Sequence, residues 1–191
     1  MTRFETIIDD HRQCLERLAG LGDLIDAAAR SLGRVVGRGN RIFVCGNGGS
    51  AADAQHFAAE LIGRFEKERR PFPAVALTTD TSILTAVAND YAYASVFDRQ
   101  LGGLAGRGDA LVGISTSGNS ANIISAMELA GRLGLERVAL CGRGGGRLRE
   151  LADHAIVVPS DNTARIQEAH ILVLHYFAAV IEEMNAGEVG P

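Results

Sequence analysis

The chain has 191 residues, enough for a single domain with a sizeable core. Its 47% hydrophobic and 22% charged residues are those of an ordinary globular protein, and a formal net charge of −4 leaves no basic footprint for nucleic acid or an anionic surface. Met1-Thr2-Arg3-Phe4-Glu5 lacks an apolar signal core, and no apolar run approaches the ~20 residues of a membrane span, so neither export nor membrane attachment is expected.

Residues 3 to about 37 carry apolar side chains at helical spacing: Phe4, Ile7, Ile8, Leu15, Leu18, then Leu21, Leu24, Ile25, Ala28, Leu32 and Val35. Gly20 and Gly22 permit a break. This stretch, 1–38, reads as a helical arm before the first strand and offers a surface for another subunit. Strands are then expected at 41–45, 74–78, 109–114, 136–141 and 154–158. Helices are expected near 50–65, 81–103 (as two short pieces), 120–134, 146–152 and 163–185. Strand–helix alternation of this kind implies an α/β fold, a doubly wound parallel sheet of five strands, with 39–191 as its core. The strands are nearly continuous apolar runs, as burial on both faces demands. In a flavodoxin-like order, strands one and three flank the crevice where ligands bind.

Both of those strands feed Gly- and hydroxyl-rich turns that open helices. The first is Cys45-Gly46-Asn47-Gly48-Gly49-Ser50; the second is Ser115-Thr116-Ser117-Gly118-Asn119-Ser120. Free backbone N–H groups at a helix start attract anions, and phosphate is the most economical one. Such a turn can also serve only as a tight connection. The first turn holds a partial dinucleotide fingerprint, Gly46-x-Gly48-x-x-Ala51. The acid that should end the second strand about 20 residues on is missing, since Asp80 falls further along and Glu66 and Glu68 fall in a loop. Four hydroxyls in the second turn (Ser115, Thr116, Ser117, Ser120) favour a phosphate monoester. Gly142-Arg143-Gly144-Gly145-Gly146 reads as a flexible turn, and Glu66 to Pro73 as a charged surface loop.

Cys14, Cys45 and Cys141 are an odd set without C-x-x-C spacing. Free buried thiols in a reduced, cytoplasmic setting are expected. His56 and Glu60 stand four residues apart on one helix face, and Gln167 and His175 share a stripe of the last helix. If the two helices meet, these four could ligate a divalent metal, with Gln an unusual partner for a structural zinc. Spacing alone favours a solvated His56–Glu60 pair and a core His175. His11, His154 and His170 read as structural.

Taken together, Gly46-Asn47-Gly48-Gly49-Ser50, Asp53, His56-Phe57-Ala58-Ala59-Glu60, Asn89-Asp90, Gly113 to Ser120, Arg165-Ile166-Gln167-Glu168 and His175 make the chain resemble the sugar isomerase (SIS) domain family, and within it the heptose-phosphate isomerase branch. The resemblance covers nearly the whole chain, as one domain. It implies a ketose–aldose isomerase that converts D-sedoheptulose 7-phosphate to D-glycero-D-manno-heptose 7-phosphate through an enediol. By resemblance, Ser115, Thr116, Ser117 and Ser120 hold the phosphate. Asn47, Gly48, Gly49, Ser50, Asn89, Asp90, Glu60 and Gln167 contact the sugar. His56, Glu60, Gln167 and His175 bind one zinc ion per subunit, and Glu60 and His175 carry the proton transfer. A homotetramer with sites built across subunits is also implied. Some members carry an acid where this chain has Ala164. A second reading is a non-catalytic tetramer that docks a replication initiator, because Arg64-Phe65-Glu66-Lys67-Glu68-Arg69 is similar to that branch. There the positions of Glu60 and His175 can lack ionisable groups; here both keep them. Isomerisation of another sugar phosphate is a third reading, and nicotinamide-dependent oxidation a distant one.

Overall fold

The computed structural model describes residues 2–187. In chain order it contains α1 (Arg3–Leu18), a 3-10 turn (Ala19–Leu21), α2 (Gly22–Gly37), β1 (Ile42–Gly46), α3 (Gly49–Ile62), β2 (Ala74–Ala76), α4 (Thr81–Asp90), a 3-10 turn (Tyr93–Ser95), α5 (Asp98–Leu104), β3 (Ala110–Ser115), α6 (Ala121–Leu133), β4 (Glu136–Cys141), α7 (Gly146–Leu151), β5 (His154–Val157) and α8 (Thr163–Asn185). The five strands pair in parallel in the order β2-β1-β3-β4-β5. The order expected from the sequence is therefore the one observed, and the chain reverses direction across the sheet between β1 and β3. Both glycine-rich turns emerge at the carboxyl ends of those two neighbours.

Alternation along β1 divides the core in two. Ile42 and Val44 face a layer built from α2, α3 and α8, with Leu32, Val36, Phe57, Leu61 and Phe177 fully buried. Phe43 and Cys45 face the opposite layer, with Phe97, Leu101, Ile123, Met127 and Leu148. The central strands β1 and β3 are buried along their whole length on both sides, which is why their sequences run apolar without alternation, while the edge strands β2 and β5 are mostly half-buried.

The N-terminal stretch splits into two unlike parts. Thr2 and Glu5 form a capping box that starts α1: Glu5 N–H donates to Thr2 Oγ1 at 3.2 Å and Thr2 N–H to Glu5 Oε2 at 2.6 Å. Only Cys14 and Leu18 of α1 are buried, while Phe4 and Ile8 stand exposed. After the 3-10 turn, α2 packs into the main core through Ala28, Ala29, Leu32 and Val36. Only α1 is an arm in the sense the sequence suggested.

Other expectations shift by small amounts. The helix expected to reach residue 65 ends at Ile62, and the second strand is only three residues long. Asp80 caps α4 by accepting from Ile83 N–H at 2.9 Å, so its carboxylate serves the helix start rather than a ribose. Gly142 to Gly146 is packed rather than loose: Gly142 lies against Ile166, and Leu148 N–H donates to Gly118 O at 3.0 Å. Among the described residues no helix is long and apolar enough to cross a membrane.

His170 is fully buried, with Nε2 3.1 Å from Cys141 O and Nδ1 without a partner. Burial pushes the imidazole down to about 4, against the hydrogen bond to Cys141 O, which favours the charged form. The folded protein thus holds this ring neutral, while the unfolded chain takes up a proton below about 6.5. The stability it contributes is fully present above that value and is lost as pH falls toward 4. Between pH 7 and pH 5 the loss is about 2 kcal/mol. His170→Gln keeps a donor for Cys141 O but cannot titrate. Urea unfolding at the two pH values should therefore show a smaller drop for this variant, by about that amount.

Candidate functional site

β1 ends at Gly46, and the chain turns through Asn47 and Gly48 into α3. Gly48 takes φ +56°, a region open to glycine at little cost, and no side chain caps α3. Ser50 N–H donates to Asn47 O and Ala51 N–H to Gly48 O, both at 3.0 Å, so the turn closes most of the first amides on itself and leaves that of Gly49 without a backbone partner among the described residues. Ser50 is buried beneath the turn.

The second turn gathers its hydroxyls. Ser115 Oγ lies 2.9 Å from Ser120 Oγ and 3.4 Å from Ser117 Oγ. Ser120 occupies the N-cap of α6, yet its side chain makes no cap bond, because the hydroxyl is turned toward Ser115. Thr116 is half-buried beside them. Three hydroxyls, each free to rotate its proton, face one uncapped helix start and suit the oxygens of a phosphate. Gly118 holds this turn at φ +67°, and a Cβ there would sit 1.8 Å from Gly145 O. The glycine run after β4 therefore buttresses the hydroxyl turn.

The two turns are tied to each other. Asn47 Nδ2 donates to Asn122 Oδ1 at 3.0 Å, and Asn122 Nδ2 returns a bond to Asn47 Oδ1 at 2.8 Å. Tyr93 OH also donates to Asn47 Oδ1, at 3.0 Å. Asn89 and Asp90 are exposed at the end of α4, with Asn89 Nδ2 donating to Asp90 Oδ1 at 2.9 Å. Asn122 and Tyr93 drew no notice in the sequence, where neither belongs to a recognisable spacing.

Helix α8 lies beside α3 and brings three of the four expected ligands together. His56 Nε2 is 2.9 Å from His175 Nε2 and 3.2 Å from Glu60 Oε1. Ligand atoms of the three residues all lie within 4.8 Å of one another. Gln167 sits two turns earlier on α8, above Gly49; a Cβ on Gly49 would come 2.5 Å from its Nε2. Glu60 has about a fifth of its side chain exposed and His56 nearly half, so the cluster lies at an open surface. Phe65 stacks on the His175 ring at 5.7 Å and 24°.

This donor set fits a zinc ion. Zn–N bonds of about 2.0–2.1 Å in a tetrahedron set neighbouring ligand atoms roughly 3.4 Å apart, close to the separations here. Two imidazole Nε2 atoms facing one another beside a carboxylate can share only one proton among neutral rings, whereas a cation satisfies all three. The His56–Glu60 pair thus also meets His175, which is half-buried rather than enclosed in the core.

The remaining groups are structural. His11 Nδ1 lies 2.6 Å from Glu168 Oε2 and His154 Nε2 lies 3.2 Å from Glu136 Oε1. All three cysteines are free and buried, and burial pushes Cys45 and Cys141 up to about 12. In the charged loop, Arg69 is buried against Glu182 at 3.0 Å. The run from Arg64 to Arg69 thus has a structural use that its likeness to the initiator-binding branch did not suggest.

A family model described as the SIS domain matches residues 8–142. The chain is 56% identical over 165 residues to the phosphoheptose isomerase of Akkermansia muciniphila, covering 86% of this chain and 87% of that protein. Among solved structures, a phosphoheptose isomerase from Neisseria gonorrhoeae superposes with a TM-score of 0.90 at 42% identity, covering 95% and 97% of the two chains. One from Francisella tularensis gives 0.91 at 38% identity, covering 96% and 100%.

Gly118→Ala drives a methyl group into Gly145 O and forces a left-handed backbone on alanine. A loss of about 2 kcal/mol is expected, which lowers Tm by roughly 4–8 °C in a chain of this size. Circular dichroism melting, with and without inorganic phosphate, should show that fall and a smaller phosphate-induced rise than in the parent.

Proposed function

This chain belongs to the SIS domain family, and on that premise we propose that it is an isomerase that interconverts D-sedoheptulose 7-phosphate and D-glycero-D-manno-heptose 7-phosphate through an enediol. The observation that carries the reading is the convergence of Glu60 with the His56 and His175 imidazoles across α3 and α8. Ketose–aldose exchange moves a proton between neighbouring carbons. It needs a base at carbon, a donor at oxygen and stabilisation of the enediolate charge. Glu60 is the base at carbon, and His175 exchanges the proton at oxygen. Positioned groups of this kind contribute about 10²–10⁴-fold each.

His56, Glu60 and His175 would hold zinc; Gln167, the fourth ligand expected, lies two turns earlier on α8 over Gly49, away from these three. When bound, the ion supplies Lewis-acid polarisation of the sugar oxygens. Glu60 can serve both purposes because a carboxylate has two oxygens: Oε1 faces His56 Nε2, and among the described residues none hydrogen-bonds Oε2. Ser115, Thr116, Ser117 and Ser120 grip the phosphate. Asn47, Gly48, Gly49, Ser50, Asn89, Asp90 and Gln167 line the path of the sugar. The grip on the non-reacting end supplies the binding energy that orients the reacting carbons.

Glu60 lies about 16 Å along α3 from Gly49, at 1.5 Å per residue, so the base is well removed from the turn that opens the helix. A substrate anchored at the hydroxyl turn of one protomer is best met by the Glu60–His175 cluster of another, in a homotetramer. Exposed Phe4 and Ile8 on α1, and Leu172 and Tyr176 on α8, supply apolar surface for such an assembly. Three buried free thiols agree with a reduced, cytoplasmic location.

Glu60→Gln should abolish the appearance of aldose in an NMR assay with sedoheptulose 7-phosphate while leaving the circular dichroism spectrum intact. Near-normal turnover would refute the base assignment. Ser117→Ala should chiefly raise KM, since the hydroxyl grips phosphate equally in ground and transition states.

Dissociating and remixing these two inactive or weakened variants tests the shared site. At substrate well below the KM of the Ser117→Ala parent, mixed tetramers should regain activity above either parent; no recovery would place the whole site in one chain.

A further inference from the structure

An imidazole that ligates a metal or relays a proton must be held in one orientation. Ordinarily its second nitrogen donates to a carboxylate or a carbonyl, which fixes tautomer and ring plane together. Among the described residues, His175 has no such partner on Nδ1. Its ring is bounded instead by two aromatic neighbours. His56 meets it edge-on, with centroids 5.1 Å apart and planes at 67°, and Phe65 covers its face at 5.7 Å and 24°.

Phe65 lies beyond the end of α3, in no regular element, so something else must keep its ring in place. That support comes from Glu182, two turns beyond His175 on the same helix. Its carboxylate accepts from the backbone N–H of Phe65 at 3.2 Å, of Glu66 at 2.9 Å and of Lys67 at 2.8 Å. Glu182 is buried, and burial alone would push its carboxyl up, but the three amides and Arg69 hold it below its usual value.

Arg69 completes the device. Its Nε donates to Glu182 Oε1 at 3.0 Å. Its terminal nitrogens donate to Glu60 O at 2.7 Å, Leu61 O at 2.9 Å and Gly63 O at 3.0 Å, the last carbonyls around the end of α3. One buried ion pair thus grips the end of the helix that carries His56 and Glu60 and the loop that carries Phe65. Both are referred to the helix that carries His175.

We propose that Phe65 is the positioning residue for the His175 imidazole, and that the Glu182–Arg69 pair anchors it, so that an aromatic face does the orienting that a hydrogen bond performs elsewhere. The proposal rests on the reading of His175 as a site residue, and it adds two long-range contacts to that reading.

Removing Glu182 or Arg69 would leave a buried unpaired charge and unfold the loop, so the test falls on Phe65, which is half-buried at the surface. The variants are Phe65→Leu, which keeps apolar bulk but no flat face, and Phe65→Trp, which keeps the face. Steady-state kinetics, thermal melting and Co²⁺ titration followed by visible absorption are measured on the full chain. Phe65→Leu should lower kcat and Co²⁺ affinity about 10–100-fold with KM and Tm little changed, and Phe65→Trp should restore both.

Wild-type kcat and Co²⁺ affinity in Phe65→Leu would overturn the proposal. A change in KM or Tm alone would do so too, since that is how a merely structural side chain behaves. His175→Ala separates the two readings. If it retains turnover, the catalytic role of His175 fails, and the Co²⁺ affinity of Phe65→Leu still decides whether Phe65 orients the ring.

Discussion

The parallel packing of α8 along α3 is the constraint on which the polar cluster depends. Contacts between the two helices advance in step: Gly49 with Gln167, His56 with His175, Phe57 with Phe177, and the α3 carboxyl end with Glu182 through Arg69. A nearly constant offset in residue number means that the helices run side by side in the same direction. Phe57 and Phe177 meet edge to face at 6.4 Å, both fully buried against the sheet. Truncating one such ring costs about 3–5 kcal/mol, more than any single exposed polar contact returns. The apolar stripe therefore sets the register, and the imidazoles and carboxylate one step around each helix inherit it. Close approach at the top of the pair is possible because residue 49 has no side chain, which lets the Gln167 amide lie over the start of α3.

The sheet imposes the second half of the arrangement. Because β1 and β3 are parallel neighbours, their turns emerge side by side, and side-chain amides then lock them. Asn122 is almost fully buried, and both its amide groups are engaged, as a buried polar side chain requires. Tyr93 extends the same network to the segment after Asn89 and Asp90. The hydroxyl turn is braced from behind by Gly145, so its shape is determined before any ligand arrives. Preorganised donors of this kind lose little freedom on binding.

Most of this architecture can be read from local pattern. Apolar runs bounded by glycine mark the strands, period 3.6 marks the helices, and the two turns announce themselves by composition. The spacing of His56 and Glu60 fixes a shared face within one helix. What local pattern cannot carry is contact between distant segments. Phe65 meets His175, and Glu182 meets the amides of residues 65–67, across more than a hundred residues of chain. Nothing in the composition of Glu66 to Pro73 separates a buried Arg69 from its exposed neighbours. Gly142 to Gly146 looked loose for a related reason: positive φ angles need glycine whether a turn is free or tightly packed. Asp80 is the reverse case, where a residue weighed for ligand contact is consumed by a helix cap that only the backbone geometry reveals.

Burial also sorts the ionisable groups by what they can do. His170 is kept neutral, the Cys45 and Cys141 thiols are kept protonated, and Glu182 is kept charged by its amide donors and Arg69. A thiol pushed to about 12 offers negligible thiolate near neutrality, so neither strand cysteine is a ready nucleophile. Groups locked in one state can hold a fold but cannot exchange protons. Glu60, His56 and His175 differ from them in lying at a half-open surface, where solvent reaches the side chains. The cost of that openness is that solvent does not hold a side chain still. A flat aromatic ring, itself pinned from the interior, restores order at the surface without closing it.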